Sequence, residues 1–214
     1  MDEDISIIDT RTRNEKIKNF FIKNKKKIII SILVIILAIF GYFIYEEFNK
    51  KNKIKLANRY NIVKMNFISG NKSMFANELV SIVHEKDRTY SPLALYFLID
   101  NNIISDKNKI NELFDTVINE TSLEKEIKNL LIYKKALFNS DFESENNLLI
   151  ILKPIINSNS IWKSHALYLM AEYFYFKNEK QKSKDFFEQI ITLENVNSKI
   201  KRETQKRLNR DFSE

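Results

Sequence analysis

The side chains with intrinsic chemistry are few and dispersed in this 214-residue chain. Histidine titrates near neutrality and ligates metals, and it occurs only as His84 and His165. Neither has a second histidine three or four residues away, the spacing that puts two imidazoles on one helical face for zinc. His165 does have Glu172 two turns further along the same face. Glu78, Glu85 and Asp87 read as isolated carboxylates on solvent faces, which gives no support to paired acid–base catalysis. The chain has no cysteine, which excludes disulfides, thiolate metal sites and thiol nucleophiles. It has two glycines, Gly41 and Gly70, too far apart for a phosphate-cradling loop. No GxSxG motif is present. These observations predict a protein with no catalytic, cofactor-binding or metal-binding residues and no small-molecule substrate.

What remains is recognition through aromatic and charged side chains. Trp162, Tyr168, Tyr173 and Tyr175 lie close together in sequence. Aromatic residues at helical spacing are ordinarily core, yet His165, Tyr168, Glu172 and Tyr175 share one face of a helix. That face is a candidate protein-binding surface, with Lys134 as the counterpart of Glu172 one unit earlier. The alternative for all five is packing against a capping helix at the C-terminus.

The formal charge is +7, from 35 basic and 28 acidic residues. Lysine outnumbers arginine 28 to 7, and Ile, Lys and Asn together make up 85 residues, a bias that AT-rich codons would produce. Arginine is favoured where phosphate or bases are gripped bidentately, so no nucleic-acid partner is expected. The charge is also divided. Residues 1–27 carry eight basic and five acidic groups, residues 28–45 carry none, and residues 46–214 carry 27 and 23.

The uncharged segment 28–45, IIISILVIILAIFGYFIY, is just long enough to cross a hydrocarbon core of about 30 Å. Tyr42, Phe43 and Tyr45 crowd one end as interfacial aromatics do. A buried core helix is one alternative. A cleaved signal peptide is another, although its apolar run would be shorter and would end in small residues. Lys23, Lys25, Lys26 and Lys27 precede the segment, whereas Glu46 and Glu47 follow it. Lysines remain on the cytoplasmic side, and they also suit anionic membrane lipid. The expected layout is therefore a cytoplasmic charged arm over 1–27, a transmembrane signal anchor over 28–45 and a translocated remainder. In a two-membrane bacterial envelope, that is a single-pass inner-membrane protein with a periplasmic domain.

With so few glycines and prolines, the remainder reads as helices joined by short polar turns. Four turns look alike, at Gly70-Asn71, Ser105-Asp106, Ser140-Asp141 and Asn178-Glu179. Apolar columns accompany them. Two residues before each turn sit Ile68, Ile103, Phe138 and Phe176, and eight before sit Ile62, Phe97, Ile132 and Met170. Seven before sit Val63, Leu98, Tyr133 and Ala171. Nine after sit Leu79, Phe114, Leu149 and Phe187, and twelve after sit Ile82, Val117, Leu152 and Ile190. A recurrence near 34 residues is that of helix–turn–helix repeats, which bury a continuous core by stacking. Local signals add helix starts at Ser91-Pro92, at Thr121 with Glu124 as a capping box, and at Ser144, and a helix stop at Pro154. The fold class expected is all-α: an N-terminal transmembrane helix followed by a tetratricopeptide-like solenoid of helical hairpins. A helix over 46–70 leads into repeats over 71–195, and a capping helix and tail close the chain over 196–214.

The last unit, ALYLMAEYFYFKNEKQKSKDFFEQIITLEN over 166–195, resembles a tetratricopeptide repeat most closely, with Ala171, Phe174 and Phe187 at its small and aromatic positions. Ser183 stands for the usual alanine and Asn178 for the turn glycine; Ile110 and Glu145 depart from the small position in earlier units. The whole layout resembles the YfgM-like family, ancillary subunits of the SecYEG translocon. That resemblance implies a protein-binding role with Sec translocon subunits and periplasmic chaperones as partners. The alternatives are a tetratricopeptide scaffold for cell-division or envelope-assembly complexes, an enzyme whose site the repeats conceal, and a membrane spacer.

Overall fold

The computed structural model describes residues 2–67, 72–194 and 196–212, with side chains described for 13–67, 75–194 and 196–212. The described residues are helical and contain no strand: α1 (Asp2–Asn66), α2 (Lys72–His84), α3 (Tyr90–Asp100), α4 (Lys107–Glu120), α5 (Lys125–Asn139), α6 (Glu145–Ile156), α7 (Lys163–Phe176), α8 (Lys180–Ile191) and α9 (Ser198–Asp211). They form two compact units, Met1–Lys55 and Leu56–Glu214.

The first unit is the α1 helix through Lys55. It contains one stretch long and apolar enough to cross a membrane, near the N-terminus, and none of that stretch is buried within the protein. Ile29, Leu33, Leu37, Phe40 and Ile44 are all more than half exposed. A core helix buries such side chains against apolar neighbours, so the core-helix alternative is set aside. Lys23, Lys25, Lys26 and Lys27 are exposed on the turns just before the apolar run.

The second unit comprises the end of α1 from Leu56 and the helices α2 to α9. From α2 to α9 each helix packs on the next, and α2 also meets α4, α5 meets α7, and α7 meets α9. The column twelve residues after each turn forms the spine of the core: Ile82, Val117, Leu152 and Ile190 are fully buried. Leu79, Phe114 and Phe187 are buried in the neighbouring column, with Leu149 partly so. The columns before the turns hold less well. Met170, Ile132, Val63, Leu98 and Ala171 are buried, but Ile62 is 58% exposed and Phe176 is 86% exposed. Ile68 and the Gly70-Asn71 turn lie outside the described residues.

The exposure of Phe176 follows from how the helices end. At the end of α7, Asn178 has φ 62°; its N–H donates to Tyr175 O (3.0 Å) and that of Glu179 to Phe174 O (2.9 Å). Helix α3 ends in the same way, but at Asn102, with φ 48°. There Asn102 N–H donates to Ile99 O (3.1 Å) and Ile103 N–H to Leu98 O (3.0 Å). This pair of bonds around a left-handed residue satisfies carbonyls that a helix end otherwise leaves without donors. The counterpart of Asn178 is thus Asn102 rather than Ser105, and Ser140 stays in the right-handed helical region. In the corrected register, Phe176 matches the solvent-facing Asp100.

The local signals were read correctly at Ser144, whose hydroxyl accepts from Asn147 N–H at 3.3 Å, but not at three other positions. Ser91 is not a cap. Asp87 Oδ1 accepts from the Thr89 and Tyr90 amides at 2.8 and 2.7 Å, so α3 begins at Tyr90, and the buried Ser91 hydroxyl donates to Ile82 O. Thr121 and Glu124 do not form a capping box, because Thr121 closes α4 and α5 begins only at Lys125, with no side-chain cap. Pro154 lies inside α6 instead of ending it. The missing proline N–H leaves the Ile150 carbonyl without its helical donor, at a residue that is 69% exposed and so open to water. Glu78 and Glu85 are not isolated either. Arg59 donates to Glu78 Oε1 at 2.6 Å, to Glu85 Oε1 at 2.7 Å and to Ser81 Oγ at 2.8 Å, tying the last turns of α1 to α2.

Candidate functional site

The tyrosines outside the apolar segment follow a simple rule. Tyr60, Tyr90, Tyr96, Tyr133, Tyr168, Tyr173 and Tyr175 all lie on the end of α1, α3, α5 or α7, and none lies on α2, α4, α6 or α8. Tyrosine offers a rigid apolar ring with a polar tip, and it is enriched where one protein binds another. The tyrosines of the second unit are thus confined to alternate helices.

A pocket of about 310 Å³ opens between α3 and α5, with Phe114 of α4 as its floor. Tyr96, Ile99 and Asp100 line one wall, and Lys134, Leu137 and Phe138 line the other. The walls are equivalent by position, since 96, 99 and 100 each lie 38 residues before 134, 137 and 138. Leu137 is 42% exposed. Burial, reinforced by the Asp100 carboxylate, pushes the Tyr96 hydroxyl up to about 12, so it stays protonated at physiological pH. The pocket offers an apolar floor and walls, a phenol, one carboxylate and one ammonium group. That combination suits an apolar side chain of a partner flanked by polar groups.

The five candidate residues occupy three settings. Lys134 lines the α3–α5 pocket. His165 belongs to an aromatic trio between α5 and α7, with its ring 5.0 Å from Trp162 and 5.9 Å from Tyr133, which themselves stack at 6.0 Å. Tyr168, Glu172 and Tyr175 face the end of the unit, where α8 and α9 meet them. Tyr168 packs edge-on against Phe187 at 5.4 Å, and burial, followed by the neighbouring Glu172 charge, pushes its hydroxyl up to about 12. Glu172 pairs with Arg207 at 3.1 Å. The Arg207 guanidinium lies 4.4 Å above the Tyr175 ring. Tyr96, Asp100, Leu137 and Arg207 were not identified from sequence. The 38-residue register relates Tyr96 to Lys134 and Glu172, and Leu137 to Tyr175, but the turns chosen as markers placed α3 three residues out of step and so hid Tyr96. Among the described residues, no three His, Asp or Glu side chains converge as metal ligands do.

No family model matches the chain, and no curated protein or solved structure matches it.

His165 provides a test of the odd-helix packing. Burial lowers its pKa below the ordinary 6.5, with the Ile161 backbone acting more weakly in the opposite direction. Below pH 6.5 the unfolded chain takes up this proton while the folded chain resists it, so stability is full above 6.5 and falls as the pH drops towards the lower folded value. Between pH 7.5 and 5.5, the urea midpoint of the wild-type chain should fall. A His165→Gln variant should lose part of that dependence. Identical pH profiles would show that His165 is not held neutral in the trio.

Proposed function

We propose that the chain is a membrane-anchored protein-binding module that performs no chemistry of its own. The α3–α5 pocket carries this reading: an open, largely apolar recess with one phenol, one acid and one amine suits recognition and lacks a nucleophile–base pair. The odd-numbered helices form its binding side, and the helical pairs are tetratricopeptide-like hairpins. The apolar segment of α1 is an uncleaved anchor that keeps the N-terminal arm cytoplasmic and carries the helical unit to the periplasmic side, in agreement with the lysine bias around the span. Confinement to the membrane raises the local concentration of the binding surface near its target. The layout supports the Sec translocon and its periplasmic chaperones as the partners.

The test is co-purification of the full chain from its native cells in mild detergent, comparing wild type with a Lys134→Glu/Leu137→Asp variant. Translocon subunits should accompany the wild type and fall at least tenfold in the variant, because a charge placed in an apolar recess costs about 1–3 kcal/mol or more of binding. Undiminished capture by the variant would overturn the assignment of the pocket. Enrichment of cell-division proteins in place of translocon subunits would overturn the choice of partner.

A further inference from the structure

The C-terminal helix α9 is the most polar helix of the second unit, SKIKRETQKRLNRD, and Thr204 is its only buried residue. The Thr204 hydroxyl is buried without a hydrogen-bond partner, which opposes docking. Ile200, Leu208 and Phe212 are only partly buried where they touch the cluster of Leu167, Ala171, Phe187 and Ile190. Arg207 supplies the specific contact. Its side chain is 17% exposed; Nε lies 3.1 Å from Glu172 Oε1 and 3.1 Å from Asp211 Oδ2, and a terminal nitrogen donates to Glu172 Oε2 at 3.2 Å. The guanidinium sits 4.4 Å from the Tyr175 ring centre and 5.7 Å from that of Phe187. Phe212 closes the enclosure at 5.9 and 6.0 Å from the same two rings. Two aromatic faces and a carboxylate, all on α7 and α8, thus make a cage for a cation, and α9 brings the guest. Arginine over an aromatic face with a carboxylate partner is a favourable recognition unit.

We propose that α9 is an exchangeable occupant, and that the Glu172–Tyr175–Phe187 cage is a docking site for an arginine-bearing amphipathic helix of a partner protein. Helix α9 itself shows what fits. Ile200, Thr204, Arg207 and Leu208 fall at helical spacings that share one face, so the guest presents an arginine beside an aliphatic residue, with a second aliphatic about two turns earlier. A helix that buries little apolar surface opens more readily than the helices beneath it. Its tether gives it a high effective concentration, so a free helix competes only when α9 is loosened or when the partner adds contacts elsewhere. This inference rests on the reading of the unit as a protein-binding module. The two fail separately, because Leu137→Asp alters the α3–α5 pocket and leaves this cage intact.

The experiment uses the full chain in detergent micelles and a synthetic peptide of residues 196–214 as probe. In the wild-type chain, the α9 amides should exchange with deuterium at least tenfold faster than those of α7 and α8. An Arg207→Ala chain should bind the peptide at least tenfold more tightly than the wild-type chain does, and a peptide carrying Arg207→Ala should bind at least tenfold more weakly. The Leu137→Asp substitution, added to the Arg207→Ala chain, should leave peptide affinity unchanged. A Leu208→Ser chain, which loosens α9 without touching the cation, gives the same reading if Arg207→Ala unfolds. Protection of α9 equal to that of α7, equal affinity for the two peptides, or dimerisation of the loosened chain without peptide uptake would overturn the proposal.

Discussion

A chain carrying Val34→Arg and Leu37→Arg together should leave the membrane fraction. Both side chains lie mid-segment and are 58% and 62% exposed. Each arginine costs about 2.5–3.5 kcal/mol at the centre of an inserting helix, and each lost Val or Leu forfeits roughly 0.3–0.6 kcal/mol more. The sum, about 6–8 kcal/mol, is comparable to the whole favourable insertion energy of eighteen apolar residues on the same scale. Carbonate extraction followed by immunoblotting reads the result, and retention of the double variant in the pellet would show that the segment is not the anchor. The absence of cysteine makes the orientation accessible as well. With single reporters at Asn19→Cys and Asn159→Cys, both at exposed positions, the proposed orientation predicts that an impermeant maleimide labels only the second in cells with an intact cytoplasmic membrane.

Phe174→Ala should lower stability by about 3–5 kcal/mol, the range for removing a large aromatic side chain from a packed core. Phe174 is 1% exposed, stacks on Phe186 at 5.4 Å and meets Tyr173 edge-on at 5.7 Å. Because domains are held by roughly 5–15 kcal/mol in total, this is a large share. Two residues on, Phe176→Ala should change stability by less than about 0.5 kcal/mol, as surface substitutions do, because Phe176 is 86% exposed. Urea denaturation of the two variants separates the positions, and equal losses would contradict the burial described for α7.

The contrast between Phe174 and Phe176 also shows where sequence reasoning succeeds and where it stops. Composition and periodicity were enough for an all-helical chain with one apolar span, because both depend on side-chain type averaged over many residues. The column of Ile82, Val117, Leu152 and Ile190 was legible for the same reason. Helix ends depend instead on one or two backbone conformations. Asn102 and Asn178 both adopt left-handed φ; Asn178 is legible as a turn, but Asn is so frequent here that Asn102 does not stand out beside Ser105-Asp106. That three-residue slip hid Tyr96, the counterpart of Lys134 and Glu172, from the candidate site. Asp87 displaced Ser91 as the cap because its carboxylate reaches two successive amides, a geometry that depends on the preceding loop. Arg207 was invisible for a different reason: its partner Glu172 is 35 residues away, and only the docking of α9 brings them together.

The central claim is that the odd-numbered helices of a membrane-anchored unit present a protein-binding face. Site-specific photo-crosslinking in intact cells tests it most directly. A photoreactive residue at Leu137, on the wall of the α3–α5 pocket, is compared with one at Ile150 on α6, which is more exposed at 69%. Discrete protein adducts from Leu137 and none from Ile150 are the predicted result; adducts from Ile150 with none from Leu137 would contradict the account.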